Sequence, residues 1–223
     1  MRKLFNHIIV IVLILSILFI SFQVYSNRTS YSREVIVRDI AKNLELEEKD
    51  GLVYQKNTLI TFTGTAIFAK GGSDLWQIDY KNGIKSGKFL SWHEDDIKRE
   101  AGFFKNGKFD GILMRWFRNG EKESETNFDI GMKDGKENWW YINGLKRNEF
   151  FFKNNTKEGK QTYWHNKGYK KREEYFEKGK LLSKEYYYES GNKRVIEKYE
   201  FGNLISKEEW NQDGTKKELS KSK

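Results

Sequence analysis

The sequence contains no cysteine and no proline, and only 3 of its 223 residues are histidine. Because cysteine is absent, disulfide bonds, thiolate nucleophiles, cysteine-ligated zinc sites and an acylated N-terminal cysteine are excluded. Because proline is absent, every backbone N–H can donate to a neighbouring strand. His93 and His165 lie three repeats apart in the pattern described below, too far to share a metal ion. No Ser-His-Asp arrangement, phosphate-binding glycine loop or Asp-rich calcium loop occurs. We therefore expect no cofactor, no metal and no enzymatic activity.

The sequence is also poor in apolar residues, with 37% hydrophobic and 33% charged residues. This is little for a compact core, but a stack of repeats needs less, because each unit buries one stripe against its neighbours. Lys and Arg number 41 against 32 Asp and Glu, which gives a net charge of +9. Such an excess favours anionic partners, although lysines on solvated strand faces would produce it as well.

Glycine organises the chain after residue 50, because 16 of the 19 glycines recur in three phases of 23 or 24 residues. Where a phase lacks glycine, Asp, Asn or Ser stands in, and these residues also favour turns. The repeat therefore predicts a turn at each phase and about six to seven repeated units. The predicted turn glycines are Gly120, Gly144 and Gly168 in the first phase, Gly107, Gly131 and Gly179 in the second, and Gly111, Gly135 and Gly159 in the third.

Aromatic residues follow the same period. The segments between the glycines are short and rich in aromatic residues, and none has the pattern of an amphipathic helix, so each unit is predicted to be a β-hairpin. Asn119-Gly120 and Asn143-Gly144 give the strongest signals for tight turns. We expect an all-β fold, an elongated array of repeated antiparallel β-hairpins after an N-terminal hydrophobic helix. One aromatic residue per unit, four residues before the first-phase turn, forms a ladder: Trp92, Trp116, Trp140, Trp164, Tyr187 and Trp210.

The unit G-x-x-x-x-W-x-x-N-G-x-x-x-x-E-x-x-[FY]-x-x-G-x-x-x-G resembles the variant MORN repeat of bacterial proteins, some of which are labelled antitoxin-like. The similarity extends over residues 50–215, and Lys49 to Gly64 is similar to the strand pair that often precedes such arrays. The resemblance implies the hairpin fold. For function it implies an interaction module, or an antitoxin-like or immunity role. MORN repeats also accompany plant phosphatidylinositol-phosphate kinases, but no kinase motif occurs here.

The N-terminus contains the longest apolar run of the chain, from Ile8 to about Tyr25, preceded by Arg2 and Lys3. This predicts a signal peptide or a retained signal anchor over residues 1–26, and the run is at the short limit for a spanning helix. The positive-inside rule places the repeats outside the cytoplasm. We expect either a membrane-anchored protein with extracytoplasmic repeats or an exported one, and no nucleic-acid partner.

The remaining segments flank the array. Residues 27–49 are predicted to form a polar stalk, with a short helix from about Val35 to Glu48 as the alternative to a flexible linker. Residues 50–215 form the repeat array, and residues 216–223 a basic tail that could protect the open edge of the last strand.

Lysine and glutamate also recur with the period of the repeat. Phosphates of an anionic lipid or cell-wall polymer could follow a row of lysines in a regular array. Glu125, Glu149 and Glu173 would suit glycoside hydrolysis by their spacing, but their position beside the lysines favours ion pairing. The lysines of this basic stripe are Lys98, Lys122, Lys146, Lys170 and Lys193.

Two roles are open for the aromatic ladder. The rings can fill the space between successive hairpins, or they can form a platform for sugar rings or choline-like cations. The most consistent function is a non-enzymatic, envelope-associated scaffold that binds another protein along the sheet or its edges. Binding of an anionic lipid or wall polymer along the basic stripe is the alternative, and an antitoxin-like role is a third.

Overall fold

The computed structural model describes residues 36–39, 45–70, 74–93 and 96–218. The predicted signal or anchor segment and the end of the basic tail lie outside these residues. The described part is built from strands and contains no helix. The strands are β1 Ile36–Asp39, β2 Leu46–Lys49, β3 Leu52–Gln55, β4 Gly64–Lys70, β5 Asp74–Lys81, β6 Ile84–Trp92, β7 Lys98–Lys105, β8 Lys108–Phe109, β9 Gly111–Trp116, β10 Lys122–Asp129, β11 Met132–Trp140, β12 Lys146–Lys153, β13 Thr156–Lys157, β14 Gly159–Trp164, β15 Lys170–Glu177, β16 Lys180–Tyr187, β17 Lys193–Glu200 and β18 Asn203–Glu209.

The strands form one long antiparallel sheet in which consecutive strands are neighbours. Its 16 strands run in chain order from β4 to β18, with β1 added beside β4 and the short strands β8 and β13 paired to β7 and β12. Strands β2 and β3 form a separate two-stranded sheet. The predicted all-β array of antiparallel hairpins is therefore confirmed. The alternative of a helix within Val35 to Glu48 is wrong where the structure describes this segment, since residues 36–39 and 46–49 are strands.

The second glycine phase forms the tight turns. At each of these turns two consecutive residues have positive φ, as in Asn106 (49°) and Gly107 (79°), and the two-residue connection is that of a type I′ hairpin. The N–H of Gly107 also donates to the carbonyl of Lys85 at 2.8 Å, and that of Gly131 to the carbonyl of Phe109 at 2.7 Å. These two bonds therefore link each of these turns to the preceding unit.

The first glycine phase forms wider loops. The N–H of Phe117 donates to the carbonyl of Glu121 at 2.8 Å, and the N–H of Gly120 donates back to the carbonyl of Phe117 at 2.9 Å. Gly120 has φ 84°, so it supplies the left-handed residue that closes the loop. Asn119-Gly120 and Asn143-Gly144 are thus parts of longer loops, and the prediction that they form the tightest turns is corrected.

The third glycine phase lies inside strands instead of turns. Gly111 and Gly159 begin β9 and β14, and Gly135 lies within β11. The register between β10 and β11 shifts between Thr126 and Phe128, next to Gly135, which has φ 98°. Glycine is needed there because an irregular pairing puts the backbone in a conformation that other residues avoid. The turns predicted at Gly111, Gly135 and Gly159 are therefore bulge-like strand positions.

The interior changes in character along the array. Near the N-terminus it is apolar, and it is capped by Leu46 and Val53 of the β2–β3 hairpin together with the fully buried Phe62, which lies between β3 and β4. From β10 onward the most buried side chains are polar: Ser124, Thr126, Glu137, Gln161, Thr162, Glu173 and Glu174. All of them except Ser124 form side-chain hydrogen bonds, as buried polar groups generally do, whereas the Ser124 hydroxyl has no partner among the described residues.

Candidate functional site

A β-bulge begins each of the strands β7, β10, β12, β15 and β17, which follow first-phase loops. In β12, Lys146 pairs with Trp140 and Asn148 pairs with Trp139, which leaves Arg147 as the extra residue. A bulge changes the direction of a side chain relative to a regular strand, so the lysine and its successor do not share one environment. The extra residues of successive units, called the bulge row below, are Arg99, Glu123, Arg147, Lys171 and Arg194.

The basic stripe packs against the aromatic ladder. Each of four stripe lysines places its Nζ over the ring of the next ladder residue, within the range of a cation–π contact. The face of each of these rings is thus occupied by a cation of the protein itself. The distances from Nζ to ring centroid are 5.2 Å for Lys98 and Trp116, 5.2 Å for Lys122 and Trp140, 5.3 Å for Lys146 and Trp164, and 4.7 Å for Lys170 and Tyr187.

The ladder rings are neither fully buried nor open. Trp92, Trp116, Trp140, Trp164, Tyr187 and Trp210 are all partly buried. Trp210 is approached by Lys216, whose Nζ is 5.8 Å from the ring centroid, so a residue of the predicted tail continues the pattern. This geometry lies between the two predicted roles of the ladder, because the rings pack within the sheet while one ring face takes a cation.

Carboxylates neutralise most of the basic stripe. Lys122 forms an ion pair of 2.5 Å with Glu125, and Lys146 forms one with Glu149. These partners lie three residues apart in one strand, so the pairing predicted for the glutamates occurs within a strand, across the bulge. The remaining stripe pairs are Lys170 with Glu173 at 2.9 Å and Lys193 with Glu185 at 3.4 Å. An acid beside each of these lysines weakens the stripe as a track for a polyanion.

Glu173 is the centre of a buried charged network. It accepts hydrogen bonds from Tyr187 at 2.8 Å and forms ion pairs of 2.9 Å with Lys170 and 3.3 Å with Lys160. Burial alone would raise the pKa of Glu173, but the bonds from Lys170 and Tyr187 and the two lysine charges outweigh burial and lower it to about 2. Burial, together with the carboxylates of Glu173 and Glu185, raises the pKa of Tyr187. The network is a fixed set of charges that holds β14 to β17 together.

Two tight turns carry apolar residues where three other units have asparagine and one has lysine. Ile130 has φ 44° and is 47% exposed, and Phe201 has φ 48° and is 86% exposed. The residue one repeat before Ile130 is Asn106, a type that tolerates this conformation. The N–H of Ile130 donates to Asp110 Oδ1 at 3.2 Å, which helps to hold the turn. Bulky apolar side chains are thus kept at strained, exposed positions.

A shallow depression lies beside the bulge row. It has a volume of about 290 Å³, and its lining includes Arg147 and Lys171 from two successive bulges together with Tyr141, Asn148 and Trp164. The structure therefore brings the ladder residue Trp164 and the loop residue Tyr141 next to two bulge cations. The sequence signal for these cations is a basic residue directly after the stripe lysine in four of five units.

Within the described residues no three His, Asp or Glu side chains are grouped so that they could hold a metal ion. No helix in that part of the chain is long and apolar enough to span a membrane. No protein-family model matches the chain, and no curated protein is significantly similar to it.

Proposed function

We propose that the chain is a non-enzymatic binding module, an elongated hairpin array that presents the row of tight turns along one side of its sheet to a protein partner. We call this row the tight-turn edge. Its location at or beyond the membrane is part of the proposal and rests on the apolar sequence within residues 1–26. Its relation to the variant MORN repeats is also a proposal, supported by the spacing of turns and aromatic residues over residues 50–215.

The exposed apolar residues at strained turns carry this proposal. A bulky residue at positive φ costs on the order of 1–3 kcal/mol. Ile130 and Phe201 adopt this conformation, and their exposure means that folding returns little of that cost through burial. Strained residues cluster at binding sites, where the surrounding structure holds a side chain ready for a ligand. A protein partner that covers these side chains would recover the missing burial.

Further apolar residues lie next to tight turns of the same row. Met132 and Leu204 are exposed close to Ile130 and Phe201, and Ile84 is exposed two repeats before Met132. Lysines and a threonine occupy the intervening units at this position. Apolar anchors separated by polar residues are the usual composition of a protein–protein interface.

The test is capture of envelope proteins by the wild-type chain and by Ile130→Asn and Phe201→Asn variants. We expect both variants to be as stable as wild type or more stable, by up to about 1 kcal/mol, because asparagine relieves the strain. We expect both to lose the captured partner. The matched control is Ile142→Asn, which removes an exposed isoleucine at the opposite end of the strands. Undiminished capture by Ile130→Asn and Phe201→Asn would refute the proposed edge.

A further inference from the structure

The bulge row differs from the basic stripe in its partners. In the described part of the chain, Arg147, Lys171 and Arg194 have no acidic side chain within ion-pair distance, although all three are exposed. The guanidinium of Arg147 lies 5.8 Å from the Tyr141 ring centroid, which leaves its charge uncompensated. These three residues belong to three successive units. The structure thus leaves positive charge without an acidic partner at these three bulges, while four of the five stripe lysines are paired with glutamates.

The depression between Arg147 and Lys171 gives this charge a binding geometry. Arg147 lies on β12 and Lys171 on β15, with only β14 between them in the sheet. At about 4.8 Å per strand, the two bulges are separated by roughly 10 Å. Arg172 also faces this depression, but its Nε lies 3.1 Å from Glu174, so its charge is already satisfied. Arg147 and Lys171 are therefore the two charges left to meet a ligand.

The spacing fits a peptide in the polyproline II conformation that crosses the strands. Such a chain has three residues per turn and advances about 3.1 Å per residue, so every third side chain returns to the same face after about 9 Å. Arg147, Lys171 and Arg194 span two such intervals, which about seven peptide residues would cover. Trp164 and Tyr141 line the depression and offer apolar contact to a residue between two acids. Arginine binds a carboxylate through two parallel hydrogen bonds, which adds geometric selectivity.

The next member of the row limits the length of the ligand. Toward the N-terminus the bulge residue before Arg147 is Glu123, which repels an anion. A long polyanion that follows the whole array would have to pass this carboxylate. A short acidic segment that begins beside Arg147 and ends beside Arg194 would not. The geometry favours a peptide over a continuous polymer of phosphates.

We propose that Arg147, Lys171 and Arg194 bind a short acidic segment of a protein partner, with Asp or Glu at every third residue. This inference rests on the proposed function and names the chemistry of the partner. It uses a surface at the bulges, which is different from the apolar tight-turn edge that contains Ile130.

The test uses the full chain in nanodiscs of neutral phosphatidylcholine and three labelled seven-residue peptides. One peptide has glutamate at its first, fourth and seventh positions and serine elsewhere, the second has its three glutamates adjacent, and the third has glutamine in place of glutamate. We expect the first peptide to bind at least tenfold more tightly than the others. The double variant Arg147→Gln with Lys171→Gln should lose at least tenfold in affinity. The control double variant Lys88→Gln with Lys180→Gln removes the same charge elsewhere and should lose less than twofold.

A charge-reversal variant distinguishes a specific loss of binding from misfolding. Arg147→Glu combined with Lys171→Glu and Arg194→Glu should bind a peptide with lysine at the three spaced positions, a gain that damage to the fold cannot produce. Equal binding of the spaced and adjacent glutamate peptides would overturn the inference, as would an equal loss in the control variant. Tighter binding of inorganic polyphosphate at the same residues would overturn the peptide partner. Peptide binding should be unchanged in Ile130→Asn, so this inference and the tight-turn edge can fail separately.

Discussion

Replacing Trp140 with alanine tests the packing of the aromatic ladder at its centre. Trp140 has complete units on both sides, and its ring is partly buried beneath the Nζ of Lys122, 5.2 Å from the ring centroid. A packed tryptophan buries about 150–250 Å², and the lower value at about 25 cal/mol per Å² corresponds to nearly 4 kcal/mol. Compactness of the unfolded chain reduces such values by roughly 10–40%, and alanine retains part of the contact. We therefore expect a loss of about 2–3 kcal/mol.

The measurement is urea unfolding of residues 36–223, with Trp139→Ala as the comparison. Sequence reasoning makes Trp140 the costlier of the two, because adjacent residues of a strand point to opposite faces. The structure has both partly buried, with Trp139 paired to the buried Ser124, so we expect both losses to exceed about 1 kcal/mol. Losses below about 0.5 kcal/mol at both positions would mean that neither ring is packed. The ladder would then be an open platform, and the reasoning above would be wrong.

The cation above the ring can be tested separately. Lys122→Met keeps most of the side-chain stem but removes the charge from the face of Trp140. In a double-mutant cycle the two changes should couple by about 0.5–1 kcal/mol, the range of an exposed cation–π contact. Lys122 also pairs with Glu125, so the same cycle in a Glu125→Gln background isolates the ring contact. Additive losses would show that the lysine lies over the ring without attracting it.

Three other predictions concern charge, turns and topology. The pKa of Glu173 is lowered from 4.5 to about 2, so above about pH 5 its carboxylate stabilises the fold by on the order of 1–3 kcal/mol. This stabilisation is lost as the pH falls toward 2. In urea melts, the free energy of unfolding of Glu173→Gln should therefore decrease less than that of the wild type over this range. Gly83→Ala should cost more than about 2 kcal/mol, because a Cβ would lie 2.9 Å from the Val53 carbonyl oxygen, whereas Gly120→Ala, with open space around it, should cost about 1 kcal/mol by thermal melting. A reporter fused after Lys223 should be extracytoplasmic, and a cytoplasmic signal would contradict the predicted topology.

The fold could be predicted because turn chemistry and aromatic spacing repeat with one period. The turn types could not be predicted, because the connections at the two ends of the strands use similar residues. Asn119-Gly120 suits a two-residue turn, yet pairing of Trp116 with Lys122 leaves five residues to connect the strands. Conversely, Ile130 occupies a tight turn that local propensity argues against. The only sequence signal for a turn at Ile130 is that this residue lies one repeat after Asn106, because isoleucine itself does not favour such a turn.

The proposed binding surfaces were harder to infer than the fold because a bulge is invisible in a sequence. Lys146 and Arg147 are adjacent and equally basic, so the sequence offers no reason to separate them. In the structure the bulge brings Lys146 to Glu149 and the ring of Trp164, while Arg147 faces the depression without an acidic partner. The charge that remains for a ligand depends on pairing geometry, which composition and spacing do not contain.

The hydrogen bonds between successive tight turns predict a gradient of stability along the array. The N–H of Gly131 donates to the carbonyl of Phe109 at 2.7 Å, and that of Gly179 to the carbonyl of Lys157 at 3.0 Å. The step from Gly179 to Gly202 is one residue shorter than the regular 24-residue repeat, and Gly202 forms no such bond to the described residues. Strand β18 that follows it is mostly exposed. Since local opening requires little free energy where contacts and bonds are few, units should open from this end.

Hydrogen exchange measures this gradient directly. The amides of Gly131 and Gly179 should exchange slowly, and that of Gly202 should exchange at least a hundredfold faster, which corresponds to a difference in opening free energy of about 3 kcal/mol. Deleting residues 203–223 should leave the protection of Gly131 almost unchanged, because each unit is stabilised by its immediate neighbours. Uniform protection of the three amides, lost together after the deletion, would show that the sheet opens as one cooperative unit. The turn-to-turn bonds would then have no separate role in its stability.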